Sequence, residues 1–131
     1  MKAVNRKNVI SAVAALCCLV ASSASAQSYN EKTEGVFTFR AYQPQLVGGY
    51  VEVMGVALSS TSQGTNWCTY LYKNGVFQHG KCNTVSGSNS PDVLIDDSYC
   101  NPGFTITWET RVRRGSGSTL EVRSPVLVTQ C

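Results

Sequence analysis

Fifteen residues, CTYLYKNGVFQHGKC from Cys68 to Cys82, constrain this chain more than any other part of it. Asn74 and Gly75 form the dipeptide that a two-residue type I′ turn requires, since both central residues of that turn need positive φ, and β-branched and aromatic residues flank it on each side. Counting outward from the turn pairs Lys73 with Val76, Tyr72 with Phe77, Leu71 with Gln78 and Tyr70 with His79. Cys82 then misses Cys68 by one residue, and a bulge at Gly80 and Lys81 removes the mismatch, because glycine within a strand often marks a bulge. Opposed cysteines in such a pair lie within disulfide range, so a Cys68–Cys82 bond is expected. Of the two faces of this hairpin, the one carrying Tyr70, Tyr72, Phe77 and His79 is expected to pack inward as an aromatic cross-strand ladder. The opposite face, with Trp67, Leu71 and Val76 among Thr69, Lys73, Gln78 and Lys81, is then left to solvent.

The rest of the chain repeats the strand pattern. No segment after residue 26 shows the apolar periodicity of a surface helix, while β-branched and aromatic runs recur between Gly, Ser, Asn and Pro clusters. Strands are expected at about 36–42, 50–58, 67–73, 76–82, 92–96, 104–113 and 119–128. About seven strands make an all-β domain over residues 36–131: a small, disulfide-stabilised antiparallel β-sandwich of immunoglobulin-like architecture with its topology open. The segment Asp96 to Cys100, DDSYC, carries no immunoglobulin function across. Tyr99 directly precedes the cysteine, and Asn101, Pro102 and Gly103 turn the chain immediately after it. Residues 27–35 are polar, lack a strand pattern and read as a flexible lead-in.

A second hairpin can be registered by charge. Setting Arg111 against Glu121 and Glu109 against Arg123 places the ion pairs on one face. The other face then holds Phe104 with Val128, Ile106 with Val126, Trp108 with Ser124, Thr110 with Val122 and Val112 with Leu120. Extending that register brings Cys100 close to Cys131, the expected second disulfide, closing the open end of the hairpin.

Residues 1–26 read as a secretory signal peptide. Lys2, Arg6 and Lys7 precede an apolar run from Val9 to Ala21, and Ala24 and Ala26 form an A-x-A cleavage site. The run has thirteen residues, too few for a membrane helix, which needs about 18 to 20. Lipid attachment at Cys17 or Cys18 is rejected, because Leu16 and Cys17 are not the small preceding residue it requires, so no membrane anchor is expected. Three of the eleven basic residues lie in the leader, leaving eight against eight acids in the mature chain. A neutral chain has no basic face in excess with which to release counterions, so nucleic acid is not expected as a partner. Four cysteines remain after the leader, Cys68, Cys82, Cys100 and Cys131, and an even number in a small exported chain reads as a disulfide framework of a secreted or periplasmic protein. Their spacings of 13, 17 and 30 residues are not those of a thiolate zinc site, so no metal is expected.

No cofactor motif is present, and no catalytic constellation forms. His79, the one histidine of the chain, has no orienting carboxylate or nucleophile beside it in sequence and is read as structural. Asp92, Asp96 and Asp97 lack calcium-loop spacing and are read as solvated strand ends. Among Arg111, Arg113, Arg114 and Arg123, two are taken by the cross-strand pairs, and Arg113 and Arg114 are left at a solvated tip beside GSGS. The expected function is therefore a secreted or periplasmic binding or inhibitor module, acting on a protein or glycan surface, with Trp67 and Leu71 as anchors and Lys73 and Gln78 as polar contacts. A structural subunit of an envelope or extracellular assembly ranks second. A small secreted hydrolase ranks third, because one histidine in 105 residues offers few ways to build an acid, a base and an enclosed pocket.

Overall fold

The computed structural model describes residues 27–98, 103–115 and 117–130, and there the chain is all-β. Its strands are β1 (Tyr29–Glu34), β2 (Phe37–Tyr42), β3 (Gln45–Val47), β4 (Tyr50–Ser59), β5 (Gly64–Lys73), β6 (Val76–Ser86), β7 (Ser90–Asp96), β8 (Thr105–Arg114), β9 (Glu121–Arg123) and β10 (Leu127–Gln130). They form two antiparallel sheets packed as a sandwich. In the first sheet β2 and β3 run along one side of β4, with β7 on its other side and β1 outside β2. In the second, β9 and β10 flank β8, which pairs with β5, which pairs with β6. The expected signal peptide and the expected Cys100–Cys131 bond fall outside the described residues.

Strand alternation builds the core. Phe37, Phe39 and Ala41 of β2 point inward with Thr38, Arg40 and Tyr42 outward, and β4 and β8 alternate in the same way. One apolar cluster joins Phe37, Phe39, Ala57, Trp67, Val112 and Val122, and a second joins Val51, Val53, Leu71, Leu94, Ile106 and Trp108. The sheets approach tightly at Gly55, where a Cβ would lie 2.3 Å from Thr69 Oγ1 and 2.8 Å from Val112 Cγ2. Only glycine fits that approach without moving a strand.

Residues expected as a strandless lead-in form β1 instead, pairing with β2 over their whole length through a turn at Gly35, where φ is +61°. The misreading has a simple cause. An edge strand exposed along most of its length needs no apolar face, so its composition does not announce it; Glu31 and Arg40, bonded at 2.5 Å, and Thr33 and Thr38, at 3.0 Å, supply cross-strand contacts instead.

In the β5–β6 hairpin Lys73 opposes Val76, Tyr72 opposes Phe77 and Cys68 is bonded to Cys82, with Cα atoms 4.0 Å apart. The extra residue is Gln78, not Gly80 or Lys81, so Leu71 faces His79 and Tyr70 faces Gly80. Gly80 has a different task, since a Cβ there would lie 2.5 Å from Tyr70 Cδ1: the glycine gives the ring room to lie across its backbone. The two faces of this hairpin largely reverse the expectation. Trp67 and Leu71 are 0% exposed, whereas Phe77 is 51% exposed; Tyr72, expected inside, is nonetheless buried, and Val76, expected outside, is exposed. Both faces of the isolated hairpin are rich in apolar side chains, so its own pattern is degenerate. β8 breaks the tie: Ile106, Trp108 and Val112 share one face, and pairing sets Thr69 against Val112 and Leu71 against Thr110 on that side.

The second hairpin keeps the expected faces of β8 but not the expected partners. Arg111 opposes Arg123, Val112 opposes Val122 and Arg113 opposes Glu121, two residues from the charge-based register. Past β9, Ser124 turns inward, with its hydroxyl accepting from the Thr110 amide at 2.9 Å and donating to the Pro125 carbonyl at 2.8 Å. Pairing resumes with Leu127 opposite Trp108, one residue further out of step. A one-residue slip turns every side chain over, so Val126 and Val128 face solvent and Thr129 goes in, where its hydroxyl accepts from Trp108 Nε1 at 2.9 Å. Phe104, expected inside, is exposed as well.

Candidate functional site

The outer face of the second sheet gathers the chemistry that the sequence scattered over three segments. Tyr70 and Tyr72 stand two residues apart on β5, with Phe77 beside them on β6, and Arg111 and Arg113 stand two apart on β8. Each guanidinium reaches one position diagonally. Arg111 stacks on the Tyr72 ring at 3.7 Å, and Arg113 lies over Tyr70 at 5.3 Å while donating to the Tyr72 hydroxyl at 3.3 Å. Phe77 meets both tyrosines edge-on, with ring centroids 5.7 and 6.0 Å apart. A cation over an aromatic face is worth about 0.5–1 kcal/mol at exposed sites, so each contact biases the rings and arginines towards this arrangement before anything binds.

Two carboxylates anchor the arginines from outside. Glu109 bonds Arg111, and Glu121 bonds both Arg113 and Arg123. Burial alone would raise the Glu121 carboxyl, but the hydrogen bonds from Arg123 and Arg113 outweigh it and hold it below the usual carboxylate range. Three guanidiniums against two carboxylates leave the patch with one surplus positive charge. The disulfide closes one end of the patch, where Cys68 opposes Arg113.

The four residues expected to bind are not brought together. Trp67 and Leu71 belong to the two core clusters. Lys73 turns inward, with Nζ 5.3 Å from the Trp108 ring and donating to Ser98 Oγ at 2.8 Å. Gln78 is exposed at the bulge and donates to the Val76 carbonyl. Missed instead were Arg111 and Arg113 as partners of Tyr70 and Tyr72. The signal was present as two period-two repeats, Tyr-x-Tyr and Arg-x-Arg, which β5–β8 pairing sets side by side.

The remaining polar groups close structural seams. Asp92, expected as solvated, is 2% exposed and accepts from Asn83 Nδ2 at 2.5 and 2.6 Å, with Lys81 Nζ at 3.3 Å. These residues join the edges β6 and β7 where the sandwich would otherwise stand open. Asp96 accepts from the Ser98 amide at 2.7 Å and hydroxyl at 2.5 Å. Burial alone would raise this carboxyl; the Ser98 bonds, with Lys73 and His79 nearby, keep it low. Ser98 is thereby held between a carboxylate and an ammonium, a clip rather than an activated nucleophile. Arg114, expected at a solvated tip, bonds Glu34 and Thr65 and lies over Phe37, tying the two sheets together. A hollow of about 550 Å³ between β1 and β9 has Glu31, Lys32, Glu121 and Arg123 on its rim, yet both glutamates are already engaged by arginines. Among the described residues no three His, Cys, Asp or Glu side chains converge as metal ligands. Comparison with protein-family models and with curated proteins found no match.

Proposed function

We propose that this protein is a secreted or periplasmic binding module whose docking face is the outer surface of the second sheet, centred on Tyr70, Tyr72, Phe77, Arg111 and Arg113. One observation carries the reading: Phe77 and Arg113 stand exposed and Tyr70 half-buried on this face, locked in place by Arg113 over Tyr70 and by Arg111 stacked on the buried Tyr72 beneath. Tyrosine and arginine are the residue types richest in binding energy at recognition surfaces, and side chains already fixed by their neighbours lose little freedom when a partner arrives. A flat face suits a protein or glycan surface better than a small molecule, which wants a concavity. Export is supported by the leader pattern of residues 1–26, and the Cys68–Cys82 disulfide is compatible with an oxidising compartment.

The test pairs two surface variants with a glycan array and with protein partners recovered from the medium or periplasm. Phe77→Ala with Tyr70→Ala should weaken capture at least tenfold while the protein still melts cooperatively, whereas Val93→Ala on the other sheet should bind as the native chain does. Equal capture by the Phe77/Tyr70 variant would remove the second sheet from the reading.

A further inference from the structure

We propose that the partner of the second-sheet face is a neutral glycan chain, seated in a polar groove that runs from the start of β5 over the disulfide to Tyr70. The inference rests on the docking face proposed above and names its ligand. Pairing sets three rows side by side on that face: Asn66 with Thr84, Cys68 with Cys82, and Tyr70 with Gly80. The first two rows border open hollows of about 440 and 480 Å³, which share Asn66 and Thr84 and so form one trough. Gly115 keeps its floor low: the N–H donates to the Asn66 carbonyl at 2.7 Å, and a Cβ there would lie 2.9 Å from that of Asn66. At the ordinary rise of a strand, Tyr70 lies about 13 Å beyond Asn66. That span suits a chain of sugar rings rather than a single one.

The lining selects the ligand. Among the described residues no charged side chain borders either hollow, and Val85, the one aliphatic residue there, has its side chain in the core. An ionic ligand would lose hydration there without gaining a counter-charge, and an apolar peptide side chain would find no socket. Asn66 and Thr84 are exposed, and their side chains make no hydrogen bond within the described chain. A carboxamide and a hydroxyl each donate and accept, as sugar hydroxyls do, so they can pair in either sense. The loops that open onto the trough are of the same kind. Ser60, Thr61, Ser62 and Gln63 precede β5, Gly87, Ser88 and Asn89 follow β6, and the two loops meet where a Cβ on Gly87 would lie 3.6 Å from the Thr61 carbonyl. At the far end the half-buried Tyr70 ring rests over Gly80, and the partly positive C–H groups of a sugar pack on the negative face of such a ring. The arginines lie on the opposite flank, across β5 from Thr84, with Arg113 bonded to Glu121 and Arg114 to Glu34. The surplus charge of the patch therefore falls towards β9, away from the trough.

The test is an NMR titration of the full chain with neutral oligosaccharides (glucose, mannose, xylose and N-acetylglucosamine chains) and with uronate and sulfated chains, each to about 10 mM, above the range of weak binding. At least one neutral chain is expected to bind and to shift the Asn66 side-chain amide signal. Asn66→Ala and Thr84→Val should each weaken it about three- to tenfold, the value of one neutral hydrogen bond. Thr84→Val keeps the side-chain shape and the β-branch, so it decides the matter should Asn66→Ala fail to fold. No binding by any neutral chain, binding by acidic chains alone, or native affinity in both variants would overturn the proposal. A protein partner captured through Phe77 and Tyr70, with no response to Asn66→Ala or Thr84→Val, would likewise overturn the glycan while leaving the docking face standing. Failure of the docking face shows separately, as glycan binding that survives Phe77→Ala with Tyr70→Ala, and it removes the Tyr70 end of the groove and the proposal with it.

Discussion

The two hairpins of the second sheet are neighbours with opposite constraints. β5–β6 is clamped at two points, by the tight Asn74-Gly75 turn with φ of +52° and +76° and by the Cys68–Cys82 bond, beyond which pairing continues to Gly64 and Ser86. With both points set, a single surplus residue had to be absorbed between them, and the chain chose Gln78. The second hairpin turns through a longer connection between Arg114 and Glu121, which imposes no register. There the choice fell to burial, which moved the pairing by two residues so that Val112 meets Val122. A tight turn and a covalent bond specify register locally; a long loop hands that decision to the core.

The sharpest way to break this comparison is through the inner face of β5. Trp67→Ala should cost about 3–5 kcal/mol in chemical denaturation, because it empties the centre of one apolar cluster, whereas Tyr70→Ala on the adjacent outer face should cost about 1 kcal/mol. Similar losses at both positions would mean that the faces of this hairpin are wrongly assigned. Replacing Cys68 and Cys82 together by serine should cost about 3 kcal/mol, the chain-entropy value for a loop near fifteen residues, measured by the same unfolding curves. If the Asn74-Gly75 turn sets the register unaided, amide exchange across β5 and β6 should keep its native pattern in that variant.

The second hairpin is tested by two valines. Val122→Ala should cost about 2 kcal/mol, since Val122 is buried against Val112, and Val128→Ser less than about 0.5 kcal/mol, since Val128 faces water. The reverse order would restore the charge-based register. The smallest effect is electrostatic. Glu121 titrates below its unfolded value, so the stability it contributes is fully present above the unfolded carboxylate pKa, about 4.3, and is lost as pH falls through the lower folded value. Acid should therefore speed amide exchange around β9, after correction for intrinsic rates, more than within the disulfide-closed hairpin. Glu121→Gln should abolish that difference.

Some of the molecule was legible residue by residue. Asn74-Gly75 announced its turn because few other dipeptides tolerate positive φ twice, and the cysteine spacing then left one bond consistent with that turn. The inward alternation of Ile106, Trp108, Thr110 and Val112 was equally plain, since only one face of β8 is apolar. Where a segment satisfied two arrangements equally well, its sequence was silent. β5 and β6 carry hydrophobic residues on both faces, and only the partner strand β8 decided that Trp67 and Leu71 enter the core while Tyr70 and Tyr72 lie on the opposite face, Tyr72 covered there by its neighbours. β1 has no apolar alternation at all and exists because β2 offers it an edge. The tyrosine–arginine patch joins residues some forty positions apart, so its geometry came into being only with the β5–β8 pairing. Local backbone chemistry determines turns and alternation, because φ and side-chain period act within a few residues; which face is buried is settled by the layer that arrives to cover it.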